Sequence, residues 1–261
     1  MLQYRAMERR SLILGLAGAA LAAVPRAAFT RGRIRVLAWS ERSEPAEVYP
    51  NGIDGAIAEG LQLEKGIEVR TAGLADPGQG LTEELVAAAD VLIAFGHRYH
   101  KVVTEENADR IVRHVEQRGM GYLVLHSSHG ARAFQKIMST IARRRGVRLN
   151  RVPGRWGHIA NQGKPETIQV IAPKHPIVKG IGGFTIPRTE TYYSPFVVPG
   201  PDLKLLEGRY EDGPSGGDDG LLWVFGRGQV FYFRPGHETY PIFYQPEVRK
   251  LLAGAVRFLA R

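Results

Sequence analysis

The sequence contains no cysteine. Disulfides, thiolate metal centres and cysteine nucleophiles are therefore excluded, and any chemistry must use histidine, carboxylate, serine, tyrosine or lysine. Long apolar runs are also missing. The longest, Ser11 through Ala23, is too short to span a bilayer comfortably, so no stable membrane insertion is expected. There is no G-x-S-x-G elbow: His126-Ser127-Ser128-His129-Gly130 lacks the first glycine, which weakens a serine-hydrolase reading. The dense basic cluster Arg143-Arg144-Arg145, with Arg148 and Arg151, has no interleaved aromatics. A solvated helix end or a contact in a homo-oligomer is expected there, and no nucleic acid. Internal repeats and strong linkers are absent as well.

The 261 residues carry Lys+Arg 35 against Asp+Glu 26, a net charge of +9. A third of that charge lies in residues 1–28, where four arginines face one glutamate. That segment reads as an export signal. Arg9-Arg10 precede the apolar run, small residues around Ala27-Ala28 follow it, and the paired arginines resemble a twin-arginine signal, so a periplasmic location is expected. Residues 29–261 read as a single domain. Largely apolar strand-length runs (Ile34 to Trp39, Asp90 to Phe95, Tyr122 to Leu125) alternate with helix patterns at Gly52 to Leu63, at the Thr82 capping box and at Thr104 to Arg118. A short strand is expected at Ile67 to Thr71. Apolar strands between helices require a parallel sheet covered on both faces, hence a doubly wound α/β fold. Strand patterns at Thr167 to Ile171, Leu203 to Leu206, Leu221 to Phe225 and Gln229 to Phe233 then point to an antiparallel extension, with a hairpin turn at Gly226-Arg227-Gly228. A loop is expected over Glu211 to Gly220 and a final helix over Pro246 to Leu259.

In such a sheet ligands bind beyond the carboxyl ends of the strands. Five of the eight histidines fall there: His97, His100, His126, His129 and His237. Nitrogen donors gathered from several strands, near carboxylates, suit a divalent metal, zinc first and manganese or iron next, with His97, His100, His126 and His237 as candidate ligands. The bland reading is a cleft in which these histidines only hydrogen-bond their neighbours. His129, Glu190 and Glu238 are the candidate acid/base groups, although Glu238 equally suits a salt bridge to Arg234. Ser40, Glu41, Tyr99, Ser127 and Tyr192 are the expected substrate contacts. Trp39, Trp156 and Trp223 read as packing, and His114, His158 and His175 as surface or loop histidines.

The stretches Val36 to Arg42, Tyr49 to Ile53, Leu123 to His129 and especially Val230 to Pro241, with its Pro-Gly-His-Glu-Thr segment, resemble the ThuA (trehalose utilisation) family. The resemblance runs from about Arg33 to the C-terminus. It implies a class I glutamine-amidotransferase-like, flavodoxin-type fold without amidotransferase activity, since the cysteine is missing. It further implies a role in disaccharide catabolism beside a sugar dehydrogenase, with 3-keto glycosides as substrates. His97, His100, His126, His129, His237 and Glu190 match polar positions of that family's cleft. Lys101 stands where many members have another histidine, and Ser128 where glycine is common. The expected activity is metal-assisted cleavage of an oxidised glycoside; the alternative is a non-catalytic carbohydrate-binding or assembly protein.

Overall fold

The structure, a computed structural model, describes residues 32–210 and 217–261. The expected export signal and residues 211–216 of the expected loop lie outside the described residues. Five strands, β1 (Ile34–Ser40), β2 (Ile67–Gly73), β3 (Val91–Phe95), β4 (Gly121–Leu125) and β9 (Gly228–Phe233), form the parallel half, in the order β2-β1-β3-β4-β9. Beyond β9 the sheet continues antiparallel through β8 (Gly217–Phe225), β7 (Leu203–Arg209), β5 (His158–Val170) and β6 (Phe184–Tyr193). The doubly wound sheet with its antiparallel extension is as the sequence indicates.

The apolar runs are continuous because both sheet faces are covered. Val36, Ile93, Leu123 and Phe231 point to a core completed by α1 (Gly52–Gln62) and α5 (Pro246–Leu259). Their neighbours Leu37, Leu92, Val124 and Tyr232 point to the opposite core, under α2 (Glu83–Ala88), α3 (Glu105–Arg113) and α4 (Arg132–Arg144). Alternate residues of each strand thus serve opposite layers, the period of two that β-structure imposes. Thr82 and Thr104 cap α2 and α3, accepting from the amides of Leu85 and Asn107.

Three expectations need correction. The helix from Thr104 does not run regularly to Arg118: α3 ends at Arg113, and His114–Arg118 form a π turn that buries His114 against Glu83, Nε2 to Oε1 2.7 Å, rather than leaving it on the surface. β5 starts nine residues before Thr167, and β6 was not anticipated. Gly217 to Gly220 belong to β8 instead of a loop, with Asp219 fully buried.

Candidate functional site

The exits of β1, β3, β4 and β9 converge at one edge of the sheet. Arg42, His126 and His237 adopt φ values of 54°, 46° and 126° there. Such conformations cost about 1–3 kcal/mol in a residue other than glycine and persist only where the surroundings enforce them. Gly236 is part of that enforcement, because a Cβ on it would lie 2.3 Å from the His126 Cβ.

Glu41 shapes the β3 exit. Its Oε2 accepts the amides of His97, Arg98 and Tyr99 at 2.9, 2.8 and 3.0 Å, which curls this loop over the end of β1. Expected to touch substrate, Glu41 is instead buried and committed to holding the loop. Ser40 likewise turns inward and donates to Asp54 Oδ1 at 2.8 Å. Tyr99 contributes its amide, and its side chain is exposed. His100 places Nδ1 3.8 Å from Glu41 Oε1.

The loop so formed presents His97 to His237 and Glu190. One ligand atom from each lies within 4.8 Å of the others, with the two imidazole centroids 4.9 Å apart and His237 Nε2 3.3 Å from Glu190 Oε2. Behind them sits Glu238, fully buried. Its Oε2 contacts His97 Nδ1 and lies 3.6 Å from His237 Nδ1, while Oε1 accepts from Arg98 Nε at 3.2 Å. Thr239 Oγ1 meets His237 Nδ1 at 2.8 Å. Nδ1 of His97 thus faces Glu238, while Nδ1 of His237 faces the Thr239 hydroxyl and accepts the Thr239 amide at 3.3 Å, so that His237 Nε2 points at Glu190. Burial alone would raise the Glu238 pKa, but the hydrogen bond from His97 and the two imidazoles nearby hold it at about 2. Burial is the largest single influence on His97 and opposes its charge, but the hydrogen bond to Glu238 and the negative charges of Glu238 and Glu190 together outweigh it, raising that pKa. Glu238 is therefore a permanent anion that orients imidazoles, and its salt-bridge partners are His97 and Arg98, not Arg234.

Glu190 arrives from the far edge of the sheet. The end of β6 curls back to the β9 exit, where the Glu190 amide donates to the Gly236 carbonyl and the Gly236 amide donates to Thr189 Oγ1, both at 3.1 Å. The same curl delivers Tyr192. His126 Nδ1 lies 2.8 Å from the Arg234 carbonyl, which can only accept, so Nδ1 carries the hydrogen and Nε2 accepts from the Tyr192 hydroxyl at 3.0 Å. Ser127 Oγ then donates to the Tyr192 oxygen at 2.7 Å. Burial drives the His126 pKa well below its ordinary value, and its Nε2 stands 3.7 Å from Glu190 Oε1.

Of the four histidines expected to ligate, His97 and His237 enter the central group. His126 borders it with Nε2 given to Tyr192, and His100 stays with Glu41. Glu190, expected as a base, joins the group as its carboxylate through the Oε2 side and keeps Oε1 toward His126. His129 lies among Tyr192, Phe196 and Tyr232, ring centroids 4.8 to 6.3 Å away, and burial pushes its pKa down to about 3. Ser127 meets a phenol rather than an imidazole, and Ser128 joins two backbones, accepting from the Gly96 amide and donating to the Ala94 carbonyl. Among the described residues, neither serine pairs with a histidine as in a hydrolase. Two imidazole nitrogens and a carboxylate, oriented by a carboxylate and a hydroxyl behind them, fit a divalent cation with an open coordination position.

One buried group was not foreseen. Arg234, 1% exposed, donates through Nη1 to the Tyr192 carbonyl at 2.7 Å and through Nη2 to Glu166 at 2.9 Å, and it also pairs with Asp219. Tyr210 joins the same guanidinium. Gly208 and Gly217 make room for it, since a Cβ on either would overlap this cluster. The only signal in the sequence was an arginine directly after the apolar β9 run.

The sequence model of the ThuA family, described as trehalose utilisation, matches residues 35–259. The chain belongs to the ThuA family. Among solved structures, a ThuA-like protein of Parabacteroides merdae superposes with a TM-score of 0.64 at 13% identity, covering 87% of this chain and 90% of that one. One of Bacteroides uniformis gives 0.62 at 16%, covering 90% and 94%. A glutamine amidotransferase of Thermotoga maritima gives 0.51 at 9%, covering 88% and 99%, and shares the fold. No match was found among curated protein sequences. The family ties this chain to sugar utilisation, on an amidotransferase-like scaffold compatible with an enzyme. Among the described residues, no helix is long and apolar enough to cross a membrane.

Proposed function

We propose that this ThuA-family protein cleaves an oxidised (3-keto) glycoside or disaccharide by acid/base chemistry, assisted by a divalent cation held by His97, Glu190 and His237. The observation that carries the reading is the convergence of these three donors with the Nδ1 atoms of both imidazoles tied to Glu238 and Thr239. Zinc is the first choice, manganese or iron the next. When bound, the cation supplies polarisation of the C3 carbonyl.

A ketone at C3 acidifies the proton on C2. Glu190, with one oxygen toward His237 and the other toward His126, takes that proton, and the C–H electron pair passes into the enolate. The C1–O bond then breaks, and the leaving oxygen receives the proton from Glu190. Water adds across the resulting double bond, hydroxyl to C1 and proton to C2, so the sum is hydrolysis. Glu238 keeps His97 and His237 in register, while Tyr192 and Ser127 line the wall next to Glu190. A sugar dehydrogenase would supply the 3-keto substrate. Export through the residue 1–28 signal, a periplasmic location and a homo-oligomeric state belong to the same proposal.

The test is the metal content of untagged protein, wild type against His97→Ala and His237→Ala, followed by assay with 3-keto-trehalose and simpler 3-keto-glucosides. About one zinc, manganese or iron, lost in both variants, with cleavage by the wild type, is the expected result. Intact substrates after metal refilling end the catalytic reading. Tight sugar binding without turnover, unchanged in His97→Ala, selects the carbohydrate-binding alternative, for which Lys101 in place of a family histidine is the supporting feature.

A further inference from the structure

Charge is spread unevenly along the chain. Between Gln117 and Pro165 there is no aspartate or glutamate, and this stretch holds ten of the 35 cationic residues and none of the 26 acidic ones, which leaves the remainder balanced at 25 against 26. Carboxylates from other elements meet some of the ten: Arg132 and Lys136 pair with Glu105 of α3, Arg144 with Glu116, and Arg145 with Asp202. Arg143, Arg148, Arg151 and Arg155 are exposed and have no carboxylate partner among the described residues. All four lie in one piece of chain, the last turn of α4 and the loop that follows it.

That piece forms a continuous outer surface. Every residue from Arg143 to Val152 is exposed except Leu149, which is half-buried, and Val147 and Val152, 43% and 55% exposed, stand between the arginines. The loop is anchored at both ends, by the Val147 amide on the Ala142 carbonyl at 2.9 Å and by the Gly154 amide on the Val197 carbonyl at 2.8 Å. A two-fold contact between copies through this face would set arginine against arginine, which disfavours the homo-oligomer contact expected for this cluster. From Arg143 to Arg155 there is also no aromatic side chain on which a nucleic-acid base could stack. A plane of anionic headgroups, by contrast, meets several separated guanidiniums at once and takes apolar side chains between the headgroups.

We infer that the face running from Arg143 to Arg155 is a docking surface for an anionic lipid bilayer, with Arg143, Arg148, Arg151 and Arg155 on the headgroups and Val147 and Val152 between them. The contact is peripheral, and it stands independently of the chemistry proposed for the cleft.

Because the chain has no cysteine, Asn150→Cys in the full chain takes a single polarity-sensitive fluorescent label in the middle of this face. Vesicles containing phosphatidylglycerol are expected to shift its emission to the blue, and vesicles of phosphatidylcholine alone to leave it unchanged. The label reads this face, so attachment of a vesicle through residues 1–28 leaves it silent. Raising the salt from about 0.1 M to about 1 M, which shortens the Debye length from about 10 Å to about 3 Å, should reverse the shift. In Arg143→Gln/Arg148→Gln/Arg151→Gln the affinity for anionic vesicles should fall more than about tenfold at an unchanged thermal midpoint, since all three side chains are exposed. Arg143→Lys/Arg148→Lys/Arg151→Lys keeps the charge and should bind like the wild type. No shift with anionic vesicles, an equal shift with phosphatidylcholine, binding that survives the glutamine variant or binding lost in the lysine variant overturns the inference. A label that responds to heparin or single-stranded RNA and not to vesicles also overturns it, and assigns the face to a polyanion.

Discussion

At the scale of single residues, the cleft depends on one carboxylate that never meets the reacting atoms. Glu238 is buried, ionised and shared by two imidazoles and a guanidinium. Glu238→Gln keeps the shape and removes the charge, so the affinity for zinc should fall about 10–100-fold, the usual cost of losing such an orienting carboxylate. Competition with a chromogenic chelator measures this, and wild-type affinity in the variant would refute the role. The metal-free protein adds a pH test. The Glu238 pKa of about 2 lies below its ordinary 4.5, so its contribution to stability is present above 4.5 and is lost as pH falls toward 2. The raised His97 value works in the opposite direction: its contribution is present below the ordinary 6.5 and disappears as pH rises through the raised value. The difference in thermal midpoint between wild type and Glu238→Gln should therefore be largest between pH 4.5 and 6.5 and shrink on either side.

Among elements, the decisive contact is that between the end of β6 and the exit of β9, which belong to distant positions in the sheet order. Thr189 Oγ1 accepts the buried Gly236 amide at 3.1 Å, beside the main-chain bond between Glu190 and Gly236. Thr189→Val preserves the volume and leaves that amide unsatisfied, which should cost about 1–3 kcal/mol in urea unfolding. It should also loosen Glu190 against His237, so zinc affinity should fall with stability. Unchanged affinity in a destabilised variant would mean that the curl of β6 does not set the centre. This contact also marks the limit of what was legible. The β1, β3, β4 and β9 exits could be read because each follows an apolar run, and His97, His126 and His237 were found that way. Glu190 could be suspected beside its tyrosines, but β6 itself could not, because its polar alternation, Thr185, Arg188 and Thr189 among apolar residues, lacks the all-apolar signature of the parallel strands. The inward duties of Ser40 and Glu41 were equally hidden, since a residue at a strand exit can face the ligand or the neighbouring loop and only the fold decides which.

For the molecule as a whole, the antiparallel extension is fastened to the parallel half by a charged knot. Arg234, just beyond β9, reaches Glu166 on β5, Asp219 on β8, the Tyr192 carbonyl on β6 and Tyr210 just after β7. One buried cation faces two buried carboxyls, so the low-dielectric interior favours a proton on one of them. Burial, reinforced by the neighbouring Asp219, lifts the Glu166 pKa well above 4.5, and burial raises Asp219 as well. A carboxyl whose pKa is raised by folding stabilises the fold at low pH, and that contribution is lost as pH climbs from 4.5 through the raised value. Glu166→Gln keeps a hydrogen-bond acceptor for Arg234 and leaves one anion against one cation, so it should flatten this decline and match or exceed the wild type at pH 9. Arg234→Met strands both carboxyls without a counterion and should cost about 3–5 kcal/mol at neutral pH, recovering partly in acid as the carboxyls protonate. Urea unfolding at pH 5, 7 and 9 separates the cases. If Arg234→Met unfolds at the wild-type midpoint, or Glu166→Gln retains the wild-type slope, the knot does not couple the two halves of the sheet, and the curl that delivers Glu190 must be held by the β6–β9 contact alone.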